Sequence, residues 1–289
     1  MQLVLINKNG EQLDLLNNRQ YFIMTSCKAL HGIDTDISTI DSPYIDGATI
    51  ENVKAMPRGI SMTFKVMPNI KDSIDFFTNI VKSKQFVTLQ QTEGEQQMTI
   101  KGVATVPPYS RMMAACEIQL DIYCGQPYWE DLQAVIAAIS TYIDLLYFPQ
   151  DGQYFTPTGR PFGAIDLSLE KTFENDGDVA VGMNILITAL NTVSNPRISC
   201  SSGEQNGFYM QLNVTLQEND EVEINTTRGN KYIKINGSET FNGQPVLSYL
   251  TFVGTDWLQL ETGKNTFNVT ASTGEDDVYF TITYKRRYE

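Results

Sequence analysis

The chain has one histidine and four cysteines in 289 residues, and it is short of cations, with 21 Lys and Arg against 34 Asp and Glu. A single histidine excludes any metal centre or catalytic relay that needs two imidazoles within the chain. Cys27, Cys116, Cys124 and Cys200 form no Cys-x-x-Cys pair and no zinc-ligand spacing. Neither a disulfide scaffold nor a metal site is therefore expected, and folding in a reducing cytoplasm fits. The formal net charge of −13 argues against a groove that holds nucleic acid by neutralising phosphates. It also disfavours attraction to anionic lipid heads. No apolar run approaches the roughly 18 residues of a membrane span, and the start lacks the charged-then-apolar pattern of a secretion signal. GxSxG, HExxH and a phosphate-cradling Gly-rich loop are all missing. Among the 34 acids no pair is marked by its local pattern as a glycosidase couple. The sequence points to a protein with no catalytic residues, no cofactor and no metal.

What is present is alternation. Residues 59–67 read GISMTFKVM, with Ile60, Met62, Phe64 and Val66 on one face. Ala114, Cys116, Ile118, Leu120, Ile122 and Cys124 alternate with Glu117, Gln119 and Asp121. Successive strand side chains point to opposite faces, so this is the pattern of a half-buried sheet. The two thiols then read as small buried groups. Shorter strands are expected at 3–6, 21–23, 86–89 and 98–103, the last two joined by a turn at 92–95.

Two segments depart from that rhythm. Ile70, Ile74, Phe77 and Val81 share one helical face, behind Asn69 as a capping residue and Asp72 in the first turn, which predicts a helix over 69–84. Leu132, Val135, Ile136, Ile139, Ile143 and Leu146 predict a second helix over 131–147, ended by Pro149. Residues 150–163, QDGQYFTPTGRPFG, lack periodicity and are rich in Gly and Pro, so a connector is expected there between a domain of residues 1–149 and another of 164–289.

The second half returns to short alternating strands with no intervening helix. Met183, Ile185, Ile187 and Ala189 alternate, as do Phe208, Met210, Leu212 and Val214, and finally Val278, Phe280, Ile282 and Tyr284. Turn clusters at regular intervals make a β-sandwich or jelly roll the expected fold. His31, in Leu30-His31-Gly32, has no nucleophile or ligand partner nearby and reads as a loop residue. Asn175-Asp176-Gly177-Asp178 lacks the ligand spacing of an EF-hand and reads as a tight turn. The asparagines that open N-x-Thr triplets, Asn213, Asn225 and Asn268, read as strand-edge polar residues, and Lys285, Arg286 and Arg287 as a solvated strand end. Trp257 is the one tryptophan of the second half; its flanking leucines favour packing, with an exposed carbohydrate platform as the alternative.

Several of these segments, in this order, resemble the distal tail proteins of long-tailed, siphovirus-type bacteriophages. In the first half they are LVLINKNGEQLDL at 3–15, a loop at 41–48, the strand start Arg58-Gly59-Ile60-Ser61-Met62, the helix, and Cys124-Gly125-Gln126-Pro127-Tyr128-Trp129-Glu130. Gly125-Gln126 stands where the family often has Asp before the proline. In the second half they are Asn175-Asp176-Gly177-Asp178, Asn195-Pro196-Arg197-Ile198, Glu223-Ile224-Asn225-Thr226, Ile235-Asn236-Gly237 and Leu260-Glu261-Thr262-Gly263-Lys264-Asn265.

The resemblance implies a mainly β chain, with a β-sandwich-like ring domain carrying one or two helices and then a galectin-like β-sandwich. It implies a hexameric ring at the virion tail tip, assembled in the host cytoplasm. One face would meet the tail tube protein and the other the tail-associated hub protein, with receptor-binding proteins docked outside where a baseplate exists. DNA would pass through the lumen without specific binding and no membrane would be entered. The net charge of −5 over residues 1–150 would help a genome slide without sticking. The competing reading is an adhesion module that holds a host cell-wall saccharide through the second sandwich at Trp257. A wall-degrading enzyme is disfavoured, because no catalytic constellation is present.

Overall fold

Alternation becomes sheet wherever the sequence carries it. The computed structural model describes residues 1–41, 46–109, 116–139, 141–144, 163–166, 170–254 and 256–289. They divide into two compact units, residues 1–133 with 287–289, and residues 134–286. Both are mainly β.

The first unit contains β1 (Gln2–Asn7), β2 (Gln12–Asp14), β3 (Phe22–Lys28), β4 (Thr35–Asp41), β5 (Ala48–Ala55), β6 (Arg58–Val66), α1 (Ile70–Ile80), β7 (Gln85–Glu93), β8 (Gln96–Thr105), β9 (Glu117–Cys124) and β10 (Trp129–Asp131). One antiparallel sheet runs β2-β1-β7-β8-β9-β6-β3, with β10 pairing β8. Its inner face buries Leu3 and Leu5, Ile60, Met62 and Phe64, Val87 and Leu89, and Ile118, Leu120 and Ile122. These are the residues that alternation places on one side. Helix α1 seats Ile74 and Phe77 on the same core, with the Phe77 ring 5.6 Å from both Phe22 and Phe64. The helix begins after Asn69 as expected, but not by the expected means. Asn69 is left-handed, with φ 73°, and its side chain caps nothing. Gly102 is dictated by close packing, because a Cβ there would stand 2.6 Å from Ile122 Cγ2 and 2.7 Å from the Tyr123 carbonyl.

The second unit begins with β11 (Val135–Ala138), β12 (Thr141–Asp144), β13 (Gly163–Asp166), β14 (Glu170–Asn175), β15 (Asn184–Ala189), β16 (Val193–Ser194), β17 (Arg197–Cys200) and β18 (Tyr209–Leu212). It continues with β19 (Thr215–Leu216), β20 (Glu221–Asn225), β21 (Tyr232–Ile235), β22 (Thr240–Phe241), β23 (Gln244–Pro245), β24 (Leu250–Val253), β25 (Gly263–Thr270) and β26 (Val278–Tyr284). Two five-stranded antiparallel sheets, β11-β26-β15-β20-β21 and β14-β25-β17-β18-β24, bury one shared core. In β26 all four alternating apolar residues, Val278, Phe280, Ile282 and Tyr284, are buried.

The expected second helix over 131–147 is not formed. Residues 129–131, 135–138 and 141–144 are strands, and β11 pairs with β26 from Val135↔Tyr284 to Ala138↔Thr281. Val135, Ile136, Ile139, Thr141 and Ile143 are β-branched, and β-branched side chains lose less freedom in strands than in helices. The sheet edge supplied by β26 decides the outcome. The division between units accordingly falls at Gln133/Ala134. The expected boundary at 149/150 and the connector at 150–163 lie outside the described residues, apart from Gly163, which opens β13. So does Ala114 of the strand expected at 114–124.

The chain ends on β27 (Arg287–Tyr288), which pairs with β10 in the first unit. Arg286 and Arg287 at this end are ion-paired rather than simply solvated. Arg287 Nη2 lies 2.8 Å from Glu130 Oε1, and Arg286 Nη1 lies 3.3 Å from Asp176 Oδ2.

Candidate functional site

The first unit carries an arm that its own core does not use. Among the described residues strands β4 and β5 pair only with each other, as a separate two-stranded ribbon. Every residue of β4 is exposed, and so is every residue of β5 but Ala55. The register runs Ile37↔Val53 and Ser38↔Asn52, then jumps to Thr39↔Ile50, which leaves Glu51 as a bulge. That extra residue rotates Ile50 onto the side already occupied by Ile37 and Val53. One face of the ribbon therefore presents Ile37, Ile50 and Val53 with Thr35, Thr39, Ala48, Ala55 and, at its tip end, Asp41, while the other carries Asp36 with Lys54, Ser38 with Asn52 and Ile40 with Thr49. Ile37, Ile50 and Val53 are 53%, 61% and 57% exposed. Asp34, Asp36, Asp41, Asp46 and Glu51 give the arm five acids against the single Lys54. The loop expected at 41–48 is the ribbon's tip, of which residues 42–45 lie outside the described set.

The arm's root is fixed more firmly than its length. The Leu30 carbonyl accepts two hydrogen bonds from the core, from Arg58 Nη1 at 2.8 Å and from Trp129 Nε1 at 2.9 Å. The Met56 amide donates to the Asp34 carbonyl at 2.8 Å and closes the ribbon's base. His31 is the loop residue the sequence suggested. Its Nε2 lies 3.4 Å from Gln91 Nε2 and its ring 6.4 Å from that of Trp129. Arg58 is buried, and burial holds its guanidinium below the usual arginine range although Cys124 and Glu289 oppose that shift. Among the described residues its Nε and Nη2 have no hydrogen-bond partner. Cys116, Cys124 and Cys200 are buried thiols, and burial pushes the Cys124 thiol up to about 11. Among the described residues no group of His, Cys, Asp and Glu could hold a metal ion, and no helix is long and apolar enough to cross a membrane.

In the second unit Trp257 is 8% exposed and belongs to the sandwich core, yet it forms a wall of two clefts. One, of about 350 Å³, is polar, with Glu204, Gln205, Arg228, Asp256 and Glu261 around it. The other, of about 390 Å³, is lined by Lys231, Tyr232, Pro245 and Leu247. Gln205 Nε2 donates to Glu261 Oε1 at 2.5 Å, and the Gln259 amide donates to Gln205 Oε1 at 3.0 Å. Burial pushes the Asp256 carboxyl up, but its hydrogen bonds from Lys231 and the Trp257 amide, with Arg228 3.4 Å away, outweigh that and hold it below the ordinary value. The Asn175-Asp176-Gly177 turn is closed by the Gly177 amide donating to Asn175 Oδ1 at 3.1 Å, a turn with no ligand geometry.

Sequence reasoning named Trp257 and missed the arm. The signal was present in TDISTID and ATIENVKA, two β-branched runs separated by a short gap. The bulge spaces Ile50 and Val53 three apart, which breaks the period of two that marks a strand face.

Comparison with known proteins bears on both units. Residues 176–288 match the family model described as the siphovirus-type tail component, C-terminal domain. The crystal structure of the Dit protein (gp 19.1) of phage SPP1, described as a paradigm of the hub adsorption apparatus in phages infecting Gram-positive hosts, is similar in fold. Its TM-score is 0.66 at 11% sequence identity, covering 99% of each chain. A chain of the phage P2 baseplate in its activated conformation with Ca gives a TM-score of 0.43 at 12% identity, covering 98% of this chain and 97% of that one. No curated protein sequence matches. Residues 176–288 thus match a siphovirus-type tail component domain in sequence, and the whole chain is similar in fold to the SPP1 Dit protein.

Proposed function

We propose that this tail component is a ring subunit, with six copies joining the tail tube to the tail-associated hub protein and to the host-attachment proteins beyond it. The observation that carries the reading is the arm. A ribbon with one apolar face, no cover from its own unit and a firmly held root is built to be covered by another chain. A closed ring needs such a surface on every protomer, because each subunit must offer one patch and accept another. The family match and the SPP1 Dit fold set the context of a tail tip. In that context the galectin-like second unit is available for outer partners such as receptor-binding proteins. The protein works by surfaces and has no catalytic role. The first half's net negative charge suits a lumen through which DNA slides, and assembly takes place in the host cytoplasm.

The test is the mass of the full chain in solution, by light scattering with negative-stain imaging at tens of micromolar. Ring-shaped particles of six times the protomer mass support the proposal, and a monomer at every concentration contradicts it.

A second reading has its own observation. The polar cleft beside Trp257 offers an indole wall with flanking carboxylates and amides, a combination that suits a saccharide. Glycan-array binding by the full chain that is lost on Trp257→Ala, with folding unchanged, would favour an adhesion module. No binding would leave Trp257 as a packing residue.

A further inference from the structure

The arm leaves open what it docks on, and the outer face of the same unit's sheet offers an answer. Phe86 of β7 pairs with Val103 of β8, Val103 pairs with Tyr123 of β9, and Tyr123 pairs with Gly59 of β6. Directly paired residues point to the same side of a sheet, so these positions form one row across four strands, opposite to the face that buries the core. Phe86 is 74% exposed and Tyr123 60% exposed. With strands about 4.8 Å apart, the row from Phe86 to Tyr123 spans about 10 Å. Gly59 extends it without a side chain, and nothing lies within 4 Å of where its Cβ would be. The result is a short apolar shelf with an open end.

Charge distinguishes this shelf from an incidental patch. Lys101 is two residues from Val103 on the same strand face, and Lys82 and Lys84 precede Phe86; all three are exposed and none makes an ion pair among the described residues. Two acids near the row share this face: Asp121, two residues before Tyr123, accepts from Gln119 Nε2 at 2.9 Å, and Glu130, opposite Thr99, is ion-paired with Arg287. The flank beside Phe86 is thus basic in a chain whose net charge is −13. The arm is the reverse: the face of Ile37, Ile50 and Val53 also carries Asp41, in a ribbon whose other acids are Asp34, Asp36, Asp46 and Glu51. Two apolar surfaces on one unit, unlike in position and opposite in charge, are what a head-to-tail contact between identical copies requires.

We propose that the arm of one protomer lies across the Phe86–Val103–Tyr123 row of a second copy of this chain, with its acids facing Lys82, Lys84 and Lys101. This rests on the ring reading and names the two surfaces that meet. The contact is heterologous, so it propagates beyond a dimer, and it closes a ring where the rotation between copies allows.

Disulfide trapping tests it in the full chain. The background is Cys27→Ser, which removes the one cysteine that is not buried. Val53→Cys and Phe86→Cys are introduced singly and together, and the oxidised proteins are run without reductant. The proposal predicts a ladder beyond dimer only in the double variant. Separately, Phe86→Ser should raise the concentration for half-assembly about tenfold or more, as expected for removing an aromatic anchor. Lys84→Glu with Lys101→Glu should weaken assembly, and adding Asp41→Lys, on the ribbon face that carries Ile37 and Ile50, should restore it. Rings that form normally in Phe86→Ser, with no ladder in the double variant, would overturn this docking while leaving the ring intact. A chain that is monomeric throughout would overturn the ring reading itself.

Discussion

Strands β5 and β26 use the same vocabulary to opposite ends. Both set β-branched apolar residues next to Thr, β5 adding Asn and charged neighbours and β26 aromatic ones. In β26 Val278, Phe280, Ile282 and Tyr284 are buried between two sheets, whereas in β5 Ile50 and Val53 are 61% and 57% exposed. The difference lies in the cover. The second unit closes on itself, two sheets burying each other's inner faces. The first unit closes its sheet with α1 and leaves both the arm and the outer row uncovered. Apolar alternation thus reports that a face needs a partner, without saying whether the partner lies in the same chain.

The comparison can be broken most forcefully in the core. Phe267 is fully buried in the sandwich, and Phe267→Ala is expected to cost about 3–5 kcal/mol through lost packing and a residual cavity. Ile50→Ala in the arm should change protomer stability by less than about 0.5 kcal/mol, as for an exposed position. Denaturant unfolding of assembly-deficient protein reads both. A large loss at Ile50 would mean that the arm is part of the protomer's own fold.

The root lies between these extremes. Trp129→Phe keeps the aromatic body but removes one of the two donors to the Leu30 carbonyl. The expected loss is about 1 kcal/mol, the usual net worth of one hydrogen bond. Hydrogen exchange over residues 29–34 should rise, while exchange in the second unit stays unchanged. An effect spread evenly across both units would remove the distinction drawn here.

The smallest effect is expected at Asp256, and it should appear only in acid. Its carboxyl is held below the ordinary aspartate value in the folded protein. The unfolded state therefore takes up the proton first, and the stabilisation is complete above the ordinary value and lost as pH falls through the lower folded value. Wild type and Asp256→Asn should differ most near neutrality and converge in strong acid. A difference that persists unchanged below pH ~3 would contradict the assignment of this carboxylate as the titrating group.

Much of the fold was legible in the sequence because the period of two is a direct image of the pleat. Ile60, Met62, Phe64 and Val66 sit where alternation puts them, as do Met183, Ile185, Ile187 and Ala189. The helix at Ile70–Ile80 was legible for the same reason at its own period. The segment 131–147 was misread because its apolar spacings satisfy a helix, while its β-branched content and the edge of β26 favour strands. Ile136, which a helix would have buried, is 70% exposed. The candidate site was less legible than the fold. Trp257 announced itself by residue type. The arm did not, since its bulge breaks the periodicity and no local pattern reveals whether an apolar strand face is covered. The outer row is a product of register alone, since Phe86, Val103 and Tyr123 meet only once three strands are paired.

The central claim is that the arm's apolar face is an assembly surface and not a part of the protomer's fold. The most direct measurement is light scattering on Ile50→Asp/Val53→Asp beside the wild type, with melting curves of both. The predicted result is a ring for the wild type and a monomer for the variant, the variant melting as a folded protomer. A variant that assembles to the same mass as the wild type would contradict it.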